Sequence, residues 1–138
     1  MSSSERLTPS AVENYFIEQS QLKLIRTPNE KIDVIMVDNF PALGKLTALR
    51  FIEWILQNPS GVISLPTGKT PEHFIKWVTH YLNHWGDKNI AEELESYGIP
   101  ASKKPDMKNL YFVQIDEFYP INPKQHNSFY YYINEFYI

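Results

Sequence analysis

The sequence contains no cysteine, which excludes a disulfide framework, thiol catalysis and thiolate metal ligands. Basic residues are scarce as well: 13 Lys and Arg stand against 16 Asp and Glu, and the net charge is −3. This balance provides no basic field for a nucleic-acid backbone, so we expect no nucleic-acid partner. No apolar run approaches the roughly 18 residues of a membrane span, and the N-terminal residues MSSSERLTPS lack the apolar core of a signal peptide. These absences predict a cytoplasmic protein with no membrane partner.

The composition that remains is typical of one soluble globular domain, with 43% hydrophobic and 21% charged residues in 16.2 kDa. Aromatic residues reach 14% and crowd towards the end of the chain, which finishes on the apolar run YYYINEFYI. Free termini tend to be polar, so this ending predicts the first part of a longer protein or an end that packs against something. We interpret residues 1–30 as an N-terminal extension, with a short helix over 11–21 that begins at Ser10, and residues 31–138 as the domain.

Strand-like and helical patterns alternate along the domain. Short apolar runs of strand type occupy residues 31–37, 61–65 and 110–115. Helical patterns follow each run: one begins at Asp38 or Asn39, one covers 74–85 and one covers 128–138. A polar connection over 87–108 includes about one helical turn at 90–97. This order predicts an α/β fold, a three-layer Rossmann-like sheet of parallel strands with helices on both faces, truncated at the end of the chain.

In such sheets ligands bind beyond the carboxyl ends of the strands, and two segments occupy that edge. The first is the turn over 65–71, with the sequence LPTGKTP. Gly68 allows a tight turn with outward N–H groups, threonine hydroxyls add donors, and the next helix adds partial positive charge. The expected phosphate-binding residues are Pro66, Thr67, Gly68, Lys69 and Thr70. The alternative is an ordinary turn in which Thr70 caps a helix that begins at Pro71. A nucleotide P-loop is excluded, because it needs a glycine where Ile63 stands and a donor where Pro66 stands.

The second segment is the acidic pair Asp116 and Glu117, directly after the last strand-like run. A carboxylate at that place, half-desolvated by Phe118, can have its pKa raised into the range of a general base. Acidic pairs are common, so this pattern alone favours the alternative, a solvated helix or loop cap. A catalytic role for both acids is predicted only when the other motifs of the chain are taken together with this pair.

The histidines point to no metal site. His80 and His84 lie one helical turn apart, but the sequence offers no third ligand nearby, so a solvated face is the better interpretation. His126 follows the acidic pair and lies nearer the presumed cleft.

Taken together, these motifs resemble the glucosamine-6-phosphate deaminase (isomerase) family over residues 31–138. That family has a Leu-Pro-Thr-Gly-x-Thr-Pro phosphate loop, then a strand ending in Asp-Glu-Tyr, then a His-Pro-x-Ser-Tyr segment that opens an aromatic helix. Here they correspond to residues 65–71, to 116–118 and to 126–129, with the family's spacing between Asp116 and Ser128. The resemblance implies that the turn over 67–70 holds a sugar phosphate and that Asp116 moves a proton between C2 and C1 through an enediol-like intermediate. It also implies His126 and Ser128 as possible substrate contacts, no metal or organic cofactor, and a possible homo-oligomer.

Several positions depart from the family pattern. Lys69 replaces a small residue, Phe118 replaces tyrosine, and His126 stands one position late. The family's glycine-rich segment, with a catalytic Asp and a ring-opening His, would come after Ile138, so we expect the chain alone to give no turnover of glucosamine 6-phosphate. Two alternatives remain open. One is a non-catalytic domain that senses a sugar phosphate, although residues 1–30 are too short and acidic for a helix-turn-helix. The other is a 6-phosphogluconolactonase-like hydrolase, against which Phe118 and the pair Pro66-Thr67 argue.

Overall fold

The computed structural model describes residues 9–19 and 34–137. In this part of the chain, five helices accompany a sheet of two strands. The helices are α1 (Ala11–Gln19), α2 (Phe40–Gln57), α3 (Glu72–Asn83), α4 (Lys88–Ser96) and α5 (Phe129–Phe136), and the strands are β1 (Val62–Ile63) and β2 (Tyr111–Phe112). None of the helices in these ranges is long and apolar enough to cross a membrane.

The sheet confirms the parallel pairing of the second and third strand-like runs. Val62 lies opposite Tyr111, and Ile63 lies opposite Phe112. The Tyr111 N–H donates to the Gly61 carbonyl at 2.9 Å and the Val113 N–H donates to the Ile63 carbonyl at 2.8 Å. Each strand is shorter than its apolar run, because the backbone hydrogen bonding extends over only a few residues.

The first strand-like run forms no strand in its described part, 34–37, and its first three residues lie outside the described ranges. Val34 and Met36 are exposed, whereas Ile35 and Val37 pack against the core. The segment keeps the side-chain alternation of an extended chain, but neither β1 nor β2 pairs with it. The described residues therefore form a mixed α/β structure with two strands, and the three-layer arrangement stays a prediction.

The main core lies between the helices. Its buried members come from α1 to α4, from the connection between α3 and α4, which carries Trp85, and from the turn after α4: Val12, Leu46, Leu49, Ile52, Tyr81, Trp85, Ile90, Leu94 and Ile99. The helix expected to begin at Asp38 or Asn39 is confirmed as α2, and its inward face carries the buried Leu46, Leu49 and Ile52 and the half-buried Leu56. Asn39 is the residue that caps α2, since its Oδ1 accepts the Ala42 N–H at 2.9 Å.

Two helix boundaries differ from the prediction. Helix α3 begins at Glu72 rather than Pro71, and Thr70 does not cap it: Pro71 holds the N-cap position, no side chain accepts there, and the Pro71 carbonyl accepts the Ile75 N–H at 2.9 Å. The polar connection carries more helix than expected, because α4 extends over two turns. The buried Ile90 and Leu94 explain this length, since they lie one turn apart on the face that packs on the core.

Helix α1 packs directly on α2. Ser10 begins it as predicted, with its Oγ accepting the Glu13 N–H at 3.1 Å. The carboxylate of Glu53, only 4% exposed, accepts the Ser10 hydroxyl at 2.6 Å and the Ala11 N–H at 2.8 Å. Arg50 donates to the same carboxylate at 3.2 Å. This buried charge is therefore paired, and it fixes the first turn of α1 against α2.

Candidate functional site

The predicted phosphate loop, residues 66–70, connects β1 to α3 as a tight turn. Gly68 has a φ of +92°, a conformation that L side chains rarely adopt, and a Cβ placed there would meet nothing within 4 Å. Thr67 is half-buried, and the other four residues of the loop are exposed. The glycine is thus required by the backbone conformation and not by crowding.

The backbone of this loop offers donors to an anion. Within the described part of the chain, the N–H groups of Thr67 and Lys69 have no acceptor. Lys69 adds an exposed positive charge next to them. Glu72 acts in the opposite direction, because it places a carboxylate in the first turn of α3, where an anion would also be attracted.

Two tyrosines of the last helical segment donate hydrogen bonds to backbone carbonyls of the loop. Tyr132 donates its phenolic hydrogen to the Gly68 carbonyl at 2.5 Å, and Tyr137 donates to the Pro66 carbonyl at 2.8 Å. Burial raises the pKa of the Tyr137 phenol, and the nearby Tyr132 raises it further. Burial raises the pKa of Tyr132 as well, with a contribution from the charge of Glu72. Both phenols therefore stay protonated and act as donors.

The acidic pair divides into two different environments. The Glu117 carboxylate accepts four hydrogen bonds: from Ser128 Oγ at 2.6 Å, and from the N–H groups of Phe129 at 2.9 Å, Tyr130 at 3.0 Å and Phe118 at 3.1 Å. These donors, the Ser128 hydroxyl above all, lower the pKa of Glu117 to about 2. The raised pKa expected from the sequence is therefore wrong for Glu117. Its carboxylate is ionised at neutral pH and ties the acidic turn to the N-terminus of α5.

Asp116 has no such anchor. Its side chain is exposed, so the half-desolvated environment expected from the sequence is not observed. It lines an open cavity of about 610 Å³ together with Gln114, Glu117, exposed aromatic rings and the proline-containing loop that follows. Gln114 Nε2 donates to the Asp116 carbonyl at 2.6 Å and so contacts its backbone. A carboxylate that is free to meet a ligand in an aromatic-lined cleft suits proton transfer better than one already saturated with hydrogen bonds.

The two remaining site candidates are placed differently. Ser128 is buried and caps α5: its Oγ donates to Glu117 and accepts the Tyr131 N–H at 3.3 Å. Its hydroxyl is thus engaged within the protein. His126 is exposed, and its ring lies edge-on to Tyr131 with the centroids 4.7 Å apart. Neither residue is among those that line the cavity at Asp116.

The structure brings the loop over 66–70 and the acidic turn to the carboxyl ends of paired parallel strands, as the topology predicts. The loop residues do not line the Asp116 cavity itself. Sequence reasoning missed Tyr132 and Tyr137 as loop contacts and Glu117 as an internal cap. A signal existed for the tyrosines, because a partly buried phenol usually needs a hydrogen-bond partner, where a phenylalanine would not.

Metal ligands are not grouped in this part of the molecule. Among the described residues, no three His, Asp or Glu side chains lie close enough to hold a metal ion. The ring of His84 is directed at its own helix, with Nδ1 2.9 Å from the His80 carbonyl.

Comparison with known proteins finds a distant similarity. The chain matches the glucosamine-6-phosphate deaminases of Clostridium botulinum strain Loch Maree / Type A3 and strain Hall, each 26% identical over 100 residues. The match covers 72% of this chain but 34% of each relative, so the matched part spans about a third of the length of these proteins. No family model matches the chain, and no solved structure matches it. The similarity is thus to glucosamine-6-phosphate deaminases, over part of their length.

Proposed function

We propose that the chain is part of a glucosamine-6-phosphate deaminase-like enzyme, which converts glucosamine 6-phosphate and water to fructose 6-phosphate and ammonia. The similarity to the deaminases supports the substrate class. The observation that carries the assignment of roles is the contrast within the acidic pair, with Glu117 saturated by donors and Asp116 exposed in a cleft. Because the match covers a third of the relatives, we assign to this chain phosphate binding and the movement of one proton from C2 to C1, not the whole reaction.

The phosphate loop would hold the phosphate ester through the N–H groups of Thr67 and Lys69 and the charge of Lys69. A phosphate fixed there holds the sugar chain and lowers the entropic cost of presenting its C2–H bond to a base. Asp116 would accept the C2 proton of the open-chain aldose and return it to C1, so that an enediol-like intermediate lies between the two steps. The exposed rings of Phe118 and Tyr130 beside Asp116 offer an apolar wall to the sugar.

The test separates binding from chemistry. Calorimetry with glucosamine 6-phosphate, 6-phosphogluconate and inorganic phosphate gives the ligand class, and solvent deuterium uptake at C1 of fructose 6-phosphate, followed by NMR, reports the proton transfer. Asp116→Asn is expected to lower the exchange rate at least about a hundredfold while the affinity for the phosphate ester stays within about threefold. Asp87→Asn is the matched control, since Asp87 is exposed and its side chain caps nothing.

Each alternative has its own outcome. Equal loss of exchange and of binding in Asp116→Asn would argue against a general base. Binding of all phosphate esters with no exchange in any variant would identify a sensing domain. Preferential binding and hydrolysis of the lactone of 6-phosphogluconate would identify a lactonase.

A further inference from the structure

Helix α5 is attached at both ends to the two halves of the proposed site. At its N-terminus, the ionised Glu117 bonds to Ser128 and to the first N–H groups of the helix, and Glu117 is the direct neighbour of Asp116. In its body and at its C-terminus, Tyr132 and Tyr137 bond to the phosphate loop. The helix has eight residues and is about 12 Å long, so a single rigid element spans the two contacts.

The tyrosine bonds determine which way the loop amides point. In a trans peptide the C=O and the N–H of one unit point in opposite directions. The peptide whose carbonyl bonds to Tyr137 carries the Thr67 N–H, and the peptide whose carbonyl bonds to Tyr132 carries the Lys69 N–H. Both N–H groups are therefore directed away from α5. Neither has an acceptor in the described residues, and the same holds for the N–H groups of Gly68 and Thr70 in this loop.

We propose that α5 is a positioning element that couples the phosphate loop to the acidic turn, with Tyr132 and Tyr137 orienting the loop amides and Glu117 fixing the turn that carries Asp116. This inference rests on the proposed function. A displacement of the acidic turn is passed through α5 to the loop carbonyls, so the distance between the anion and the base is set by the helix and not by either loop alone. None of the three residues needs to touch the substrate for this role.

The experiment uses the full 138-residue chain and perturbs one end of α5 while the other end is observed. Glu117→Gln removes the charge and keeps the shape, and the double variant Tyr132→Phe with Tyr137→Phe removes only the two donors. Glu95→Gln and Tyr111→Phe are matched controls, because both side chains are exposed and belong to α4 and β2. The readouts are the amide chemical shifts in NMR spectra and the dissociation constant of inorganic phosphate, for which the proposed site is the loop and not Asp116.

Coupling predicts a response at the distant end. Glu117→Gln shifts the amide signals of Thr67 and Lys69. It also raises the dissociation constant of phosphate roughly threefold to tenfold, which corresponds to the net free energy of about one hydrogen bond. The double tyrosine variant shifts the amide signals of Asp116 and Glu117. The two controls leave all of these signals in place.

The opposite result overturns the inference: each variant changes only the signals at its own end, and Glu117→Gln binds phosphate as tightly as the unaltered chain. If Glu117→Gln unfolds α5, the double tyrosine variant decides, since an unchanged Asp116 signal there also overturns it. If the unaltered chain binds no phosphate and the reciprocal shifts still occur, the coupling stands and the proposed phosphate binding fails.

Discussion

The conformation of the predicted phosphate loop can be tested by replacing Gly68. Its φ is +92°, and a Cβ added there would have no atom within 4 Å. Replacing it by alanine creates no clash, so the cost is that of the backbone conformation alone, about 1–2 kcal/mol for an L residue. The loop has two ways to respond. In the first, the loop keeps its conformation, and the free energy of unfolding of the protein falls by that amount. In the second, the peptide after residue 68 rotates, and the hydrogen bond from Tyr132 to the carbonyl of that residue breaks.

The two responses give different measurements. If the conformation is kept, equilibrium urea unfolding shows the loss of about 1–2 kcal/mol, and phosphate affinity is unchanged. If the loop relaxes, binding must restore the strained conformation, and the dissociation constant of phosphate rises about fivefold to thirtyfold. The same strain therefore appears either in stability or in binding, and the sum of the two changes is about 1–2 kcal/mol.

Alanine substitutions at two other glycines provide reference values for the stability change at Gly68. Gly86 has no positive φ and open space for a Cβ, so Gly86→Ala is expected to stabilise the protein by about 0.4–1 kcal/mol. Gly98 has a φ of +84°, and its Cβ would come 2.7 Å from the Ala11 Cβ, so Gly98→Ala should be more destabilising than Gly68→Ala. If Gly68→Ala behaves like Gly86→Ala in both unfolding and phosphate titration, the loop is not held in the conformation described here.

Three further predictions concern the helices. Glu53→Ala removes the acceptor of Ser10 and Ala11, and we expect a loss of about 2–4 kcal/mol in urea unfolding; a loss below about 1 kcal/mol would contradict a charged hydrogen-bond anchor. The pKa of Glu117 is about 2 when folded against an ordinary 4.5, so its stabilisation of α5 is present above about pH 4.5 and is lost as the pH falls towards 2. The protection factors of the α5 amides, which are corrected for the pH dependence of intrinsic exchange, should fall over that range in the unaltered chain, whereas Glu117→Gln, with nothing to titrate at that position, should show no such step. Leu49→Ala empties a fully buried position in α2 and should cost about 2–5 kcal/mol in thermal or urea unfolding, whereas Leu43→Ala in the same helix, at 44% exposure, should cost well under half of that.

The sequence predicted the elements whose local patterns agree with their packing. The helical patterns of α2 and α3 and the helix starts at Ser10 and Asn39 are confirmed, because short-range geometry and burial require the same residues. The cap at Ser128 was not predicted, since Ser128 was expected to lie within the helix. The first strand-like run was over-interpreted, since a period of two shows an extended chain and cannot show whether a neighbour pairs with it. That information depends on distant parts of the chain.

The candidate site was predictable in position and not in detail. Strand order places the turn at Gly68 and the pair at Asp116 and Glu117 on the same edge. The sequence could not tell the two acids apart, because the difference arises from α5, whose N-terminal donors reach Glu117 from residues 128–130. The roles of two adjacent carboxylates can be assigned only when the position of a helix whose N-terminal N–H groups bind one of them is known.

The attachment of α1 has a practical meaning for anyone who shortens this protein. A version that starts at Lys31, where the domain was expected to begin, would remove Val12 from the core and expose the side chains that it covers. It would also strip from Glu53 both donors of α1, leaving a carboxylate sealed inside the protein with Arg50 alone to balance it. Residues 10–19 therefore belong to the folding unit, and a protein without them would be less stable towards unfolding.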